Sequence, residues 1–474
     1  MNKRLAVAPR SKLAGDLHRP QYHFLPPENW MNDPNGLIQW EGLYHLFYQC
    51  NPTSPTLARN PEWGHAVSED LLHWRDLPLA MPSDPKAKPK EGYWSGCAVN
   101  DHGVPSILYT EYRDSHQMVS LSTSEGDLMN WARDPRSPVI PAPPAGMNIT
   151  DFRDPYVFQD EKGSWIMVLG GIVDGRGAVI SYKSADLRSW DYHGPLLTDR
   201  EHALGPMWEC PNLFKLDSGY VLTISVGDRA VYYFIGDYDG ERFLPLKFGK
   251  VDYGKGYYAS QVFRDQRGRL LSLAWLMEDR SPQAQASAGW SGVLSLPRLV
   301  RLSSDDSLVS GPIEEMKQLR GDDFHIQNVT IPPASEIALP VEGSSLEIQA
   351  EFEFSPSCHG LKLCCSPDER EETFVGYDFL TQQVFVDRQQ SSLSPEVNRG
   401  IVKTAYRQKE HEPLRLHLFL DRSVMEVFVD NAIAITTRLY PTRPDSLGIG
   451  AFARQGAVTI KSLDIWKMKS IWTS

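Results

Sequence analysis

The sequence predicts an all-β protein, a five-bladed β-propeller followed by a C-terminal antiparallel β-sandwich. Two patterns carry this expectation. The first is a repeat: Ser68-Glu69-Asp70-Leu71-Leu72-His73-Trp74 returns as Ser124-Glu125-Gly126-Asp127-Leu128-Met129-Asn130-Trp131 and as Ser184-Ala185-Asp186-Leu187-Arg188-Ser189-Trp190. It recurs about every 55–60 residues, a little above the roughly 40–50 of a four-stranded propeller blade. The second is the strict alternation of Leu346-Glu347-Ile348-Gln349-Ala350-Glu351-Phe352-Glu353-Phe354, the period of a strand with one buried face. Helical periodicity is scarce throughout.

Taken in order, residues 1–20 are an N-terminal extension. It carries Lys3, Arg4, Arg10, Lys12 and Arg19 but no apolar run of signal-peptide length. Residues 21–310 hold the blades. Each repeat copy follows a β-like run, such as 119–122 or 178–182, and precedes a proline turn. Gly236-Asp237-Tyr238-Asp239-Gly240-Glu241-Arg242-Phe243 is a degenerate fourth copy, and the segment from Trp275 to Arg298 completes about five blades, within the usual propeller range. Further strands are expected at 165–169, 220–224 and 270–275. Residues 311–340 read as a linker with a short helix at 311–320, punctuated by Pro332, Pro333 and Pro340. Residues 341–474 form the sandwich, where the strands at 414–420 and 424–429 flank the turn Asp421-Arg422-Ser423.

Composition narrows the function classes. The chain has 474 residues, 23% charged and 41% hydrophobic, with a net charge of -12 and no long basic run. That argues against nucleic acid or an anionic membrane as partner. No segment is long and apolar enough to span a bilayer, so the expected location is the cytoplasm. The 13 Trp and 19 Tyr suit a β-rich protein that handles sugars. Six scattered cysteines lack metal-ligand spacing and read as reduced thiols. The sequons at Asn148 and Asn328 read as chance matches.

Three acids stand out. Asp33 lies in Trp30-Met31-Asn32-Asp33-Pro34-Asn35-Gly36, Asp154 in Phe152-Arg153-Asp154-Pro155-Tyr156, and Glu209 in Trp208-Glu209-Cys210-Pro211-Asn212. Pro34 pushes Asp33 towards extended backbone, and Gly36 admits a backbone that other residues resist. Each acid precedes a strand-like run, so all three occupy equivalent places in different blades. Equivalent places on innermost strands surround the central channel. Any one acid alone is more simply a turn residue or an Arg partner; three at repeat spacing point to function. Crowded carboxylates cannot all ionise cheaply, so one is expected to hold its proton. That division is what glycoside cleavage needs.

These stretches resemble family 32 of the glycoside hydrolases, the β-fructofuranosidases. Supporting matches are Trp63-Gly64-His65-Ala66-Val67-Ser68, Trp94-Ser95-Gly96, Leu296-Pro297-Arg298 and Phe419-Leu420-Asp421-Arg422-Ser423-Val424-Met425-Glu426-Val427-Phe428. The resemblance implies a propeller plus sandwich and a retaining mechanism without metal or organic cofactor. It implies Asp33 as nucleophile, Glu209 as general acid/base and Asp154 as stabiliser of the transition state. It places Asn32, Gln49, Trp94, Ser95 and Arg153 in the fructose pocket, with Trp275 as its floor. Cys210 reads as a packing residue beside the acid. Leu57 stands where the family often carries Trp, which bears on substrate preference. Sucrose is the expected substrate, in an invertase. Sucrose-6-phosphate is the alternative, with Arg59, Arg113 and Arg280 as possible phosphate contacts. Fructosyl transfer to a sugar acceptor and non-catalytic sugar binding are the remaining readings. The sequence sets no oligomeric state.

Overall fold

The structure, a computed structural model, describes residues 9–56, 60–84, 86–88, 91–199, 204–216, 219–227 and 229–472. Among these, five sheets of four or five strands follow one another in sequence, and two six-stranded sheets come after them. The innermost strands of the five blades are Asn29–Trp40, Gly92–Asp101, Ile149–Gln159, Trp208–Leu216 and Tyr257–Arg264. Each touches the next, and the fifth touches the first, which closes the ring. Trp290–Ser291, from late in the propeller sequence, pairs parallel with the first innermost strand and ties the ring's two ends together.

The repeat lies at the turn between the third and fourth strands of a blade. Asp70 Oδ1 accepts from the backbone N–H of Leu72 and His73, and Trp74 Nε1 donates to Leu71 O at 3.0 Å. Asp127 and Trp131 in the second blade, and Asp186 and Trp190 in the third, make the same bonds. The aspartate takes up the N–H groups that the turn leaves without a strand partner. In the fourth blade Asp239 still accepts from Glu241 and Arg242, with Phe243 in place of Trp.

All five innermost strands bulge at the same height. Their ladders slip at Met31/Pro34, Tyr93/Gly96, Arg153/Tyr156, Glu209/Asn212 and Tyr258/Gln261. In each, two residues stand opposite one on the second strand. A bulge re-aims a side chain and leaves a residue outside the ladder, which is where a strand tolerates proline. Pro155 and Pro211 fall in the third and fourth bulges, and Pro34 directly follows the first. The backbone is left-handed at Asp154 (φ 60°) and Cys210 (φ 46°).

The sandwich sheets run, in spatial order, Arg320–Ile331, Val458–Met468, Ser345–Phe352, Leu414–Asp421, Val424–Val429, Ile433–Arg438, and Ser335–Glu342, Gly448–Ala453, Cys358–Cys365, Thr373–Asp378, Gln383–Asp387, Ile401–Ala405. Their inner faces share one apolar core. The stretch 311–340, expected as a linker with a short helix, is largely sheet. A 3-10 helix spans Glu314–Leu319, but Arg320–Ile331 and Ser335–Glu342 are edge strands of the two sheets. Pro332 and Pro333 sit in the turn between them, and Pro340 lies on an edge, where a missing N–H costs no central ladder bond.

A second apolar core joins propeller and sandwich. Within it Arg298 is fully buried and pairs with Asp252 at 2.9 Å and Glu426 at 2.6 Å. His23 lies between Asp421 at 2.9 Å and Glu426 at 3.3 Å, and its partners hold its pKa up against burial. Two family-like motifs outside the acid cluster, Leu296-Pro297-Arg298 and the stretch from Phe419 to Phe428, therefore meet as a clamp between domains. The described part of the N-terminal extension packs across the same seam: Trp290 Nε1 of the propeller donates to the Asp16 carboxylate, and Arg422 of the sandwich donates to Asp16 O at 2.8 Å. No helix among the described residues is long and apolar enough to cross a membrane. All six cysteines are unpaired with one another.

Candidate active site

The bulges turn their residues into one cavity of about 520 Å³. Asn32, Asp33, Gln49, Trp94, Ser95, Arg153, Asp154, Glu209 and Trp275 all line it. The nine residues singled out in the sequence are thus brought together from five blades.

Asp33 is held from two sides. Ser95 Oγ donates to its Oδ2 at 2.5 Å, and Asn32 Nδ2 to its Oδ1 at 3.2 Å. Asn32 also donates to Gln49, and Trp30 Nε1 donates to Asn32 Oδ1 at 3.0 Å. Gly36, at φ 53°, lets the strand pass Phe47, which a Cβ would meet at 2.9 Å. Asp33 keeps some surface open to the cavity, yet the atoms packed around it take its carboxyl out of bulk water. Burial raises its pKa to about 7; the Ser95 bond opposes the rise, and Asp154 and Glu209 add to it.

Asp154 is buried, and its backbone N–H donates to Thr110 Oγ1 at 2.8 Å. Its Oδ2 accepts from the Cys210 backbone N–H at 3.1 Å and the Cys210 thiol at 3.6 Å. Burial lifts Asp154 to about 6, against the pull of Arg153. The same thiol lies 3.7 Å from Asp33 Oδ2. Burial and the surrounding carboxylates push the Cys210 thiol well above its ordinary value, so it stays protonated and donates.

Glu209 is the more open acid, with its side chain 29% exposed. Arg153 NH2 donates to its Oε1 at 2.8 Å, and the Tyr258 hydroxyl donates to its Oε2. Arg153 also bonds Asp151 at 2.9 Å and lies with its Cζ 5.6 Å from the Trp94 ring centre. Trp94 stacks on Tyr112 at 4.7 Å. The three acids are therefore distinct: two raised by burial and held by neutral donors, one facing the opening under a guanidinium and a phenol. Such a set can attack an electrophilic carbon, hand a proton to a leaving oxygen and bind hydroxyl groups.

Both family 32 models match this chain. "Glycosyl hydrolases family 32 N-terminal domain" covers residues 23–312, and "Glycosyl hydrolases family 32 C terminal" covers 315–467. The chain belongs to glycosyl hydrolase family 32. It is 35% identical to a levanase of Bacillus subtilis over 96% of this chain and 71% of that one. It is 32% identical to a sucrose-6-phosphate hydrolase of Zymomonas mobilis, over 95% of this chain and 92% of the other. Fructan 1-exohydrolase IIa of Cichorium intybus superposes on this family 32 chain with a TM-score of 0.88 at 27% identity, covering 96% and 98% of the two chains. A variant of that enzyme was solved with 1-kestose bound.

Sequence reasoning missed Tyr258, Arg229 and Met277 of this glycoside hydrolase. Tyr258 sits beside the fifth bulge, where Tyr257-Tyr258-Ala259-Ser260 has neither acid nor proline to mark it. Two of the possible phosphate contacts lie elsewhere: Arg113 pairs with Glu111 at 3.0 Å outside the cavity, and Arg280 is buried on Glu278 at 2.7 Å. Arg59 and Leu57 lie outside the described residues.

Proposed function

We propose that this chain hydrolyses terminal non-reducing β-D-fructofuranosides, sucrose first, with retention of configuration. Asp33, as carboxylate, attacks the anomeric carbon while Glu209 gives its proton to the departing glycosidic oxygen. A fructosyl ester forms on Asp33 and the aglycone leaves. Glu209, now ionised, takes a proton from water, which attacks the same carbon and frees fructose and Asp33. Asp154 binds fructose hydroxyls and offsets the positive charge that develops on the ring. Residues 21–310 carry this chemistry, and residues 341–474 support it.

The observation that carries this reading is the division of labour among three carboxyls of three blades in one cavity. Ser95 and Asn32 hold Asp33 in place, while Tyr258 and Arg153 hold Glu209 facing the opening. The names of the levanase and the sucrose-6-phosphate hydrolase support fructosides as the substrate class. The cations lining the cavity among the described residues are Arg153, paired with Glu209 at 2.8 Å, and Arg229, paired with Asp279 at 3.1 Å.

Release of glucose and fructose from sucrose, beside sucrose-6-phosphate, inulin and levan, tests this. Wild type should release fructose fastest from sucrose, and Glu209→Gln should lose that release. No release from any of the four by folded wild type would overturn the proposal.

A further inference from the structure

The side of the cavity next to Glu209 is built by the fourth and fifth blades. Arg229 stands there, at the turn between Gly219–Val226 and Ala230–Tyr238. Trp208 and Glu209 pair with Val226 and Ser225, so this turn is adjacent to the end of the acid's own strand. A general acid must reach the leaving oxygen, so the leaving group belongs on the Glu209 side of the cavity, which Arg229 also lines.

Arg229 is fixed at φ 66°, a conformation rare for a non-glycine residue and kept only where surroundings impose it. Its Nε donates to Met277 Sδ at 3.3 Å, NH2 to Glu278 O at 3.2 Å and NH1 to Asp279 Oδ1 at 3.1 Å. A guanidinium has five N–H groups, so donors remain for a ligand in the cavity.

Asp279 is buried and has a second arginine. Arg388 NH1 donates to its other oxygen, Oδ2, at 3.1 Å. Arg388 follows the sandwich strand Gln383–Asp387 and is anchored by a bond to Arg438 O at 2.8 Å. The sandwich loop after it lies along the same propeller segment: Asn398 N–H donates to Asp279 O and Ser281 N–H to Glu396 O, both at 2.8 Å.

We propose that Arg388 is a positioning residue through which the sandwich sets the leaving-group side of the propeller's cavity. It occupies one oxygen of Asp279 and so limits Asp279 to a single bond with Arg229. Without Arg388 both oxygens become available, and the favoured geometry is a two-point carboxylate–guanidinium pair. That pairing draws Arg229 away from the cavity. The inference rests on the fructosidase reading and adds to it a control of leaving-group binding by the second domain.

The test compares sucrose with methyl β-D-fructofuranoside, whose leaving group is too small to reach Arg229. Arg229→Gln is expected to raise KM for sucrose about tenfold, the scale of one charged hydrogen bond, and far less for the methyl glycoside. Arg388→Met should give most of that rise with kcat within about twofold, and the double variant should be no worse than Arg229→Gln alone. Arg388→Gln, which keeps an amide for the Arg438 carbonyl but gives up the charged bond to Asp279, carries the same comparison if Arg388→Met fails to fold. An unchanged sucrose KM in folded Arg388→Met, equal rises for both substrates, or multiplying effects in the double variant would overturn the proposal. Turnover of the methyl glycoside by wild type tests the fructosidase reading separately.

Discussion

Ser95 Oγ donates to Asp33 Oδ2 at 2.5 Å, joining the bulges of the first and second blades at the acid proposed to attack the sugar. The bond opposes the burial that lifts Asp33 to about 7. A nucleophilic carboxylate must be ionised, so kcat/KM falls as pH drops through that value. Ser95→Ala removes a hydrogen bond to the charged form, worth about 1.5–3 kcal/mol. The acidic limb of the kcat/KM profile should move upward by about one to two pH units. A limb that stays in place would separate it from Asp33.

Glu209 and Asp33 should separate by leaving group. Glu209→Gln should lower kcat/KM for sucrose by about 10²–10⁴-fold, and much less for an aryl fructoside whose leaving group departs without a proton. Asp33→Asn should abolish both. Steady-state kinetics on the two substrates checks this. Tyr258→Phe should lower kcat for sucrose about tenfold with little change in Tm, since it removes one bond to Glu209.

The clamp between domains predicts a stability effect remote from catalysis. Arg298→Met takes the buried guanidinium from Asp252 and Glu426 and should cost about 3–5 kcal/mol. Urea unfolding measures the loss; kcat of the folded fraction should stay near wild type.

Acid should weaken the first blade. His45 Nδ1 and His65 Nε2 lie 3.0 Å apart, and burial lowers both pKa values, His45 to about 4. The folded value lies below the unfolded one, so this contribution is complete above about pH 6.5 and is lost as pH falls towards 4. His45 alone accounts for up to about 3 kcal/mol. Unfolding free energy should fall across that window, and His45→Phe/His65→Phe should flatten the slope.

The parts legible in the sequence were those that repeat or carry unusual chemistry. The aspartate-to-tryptophan turn was visible because three blades use the same acceptor for the same stranded N–H groups, and a fourth keeps the aspartate. The prolines after Asp33, Asp154 and Cys210 were visible, but their meaning as bulge markers requires the register. The second and fifth bulges carry no proline, which hides Tyr258. Residues 320–342 escaped as strands because Pro332, Pro333 and Pro340 resemble a linker until the sheet edges are known. Arg229 and Arg388 lie far apart in sequence and acquire meaning through Asp279.

The most direct test of the account is to trap the intermediate. Glu209→Gln should form the fructosyl-enzyme from an activated fructoside and hydrolyse it slowly. After acid quenching and digestion, mass spectrometry should find one fructosyl residue on the peptide containing Asp33. An unmodified Asp33 peptide during active turnover, or the sugar on another residue, would contradict the assignment of Asp33 as the nucleophile.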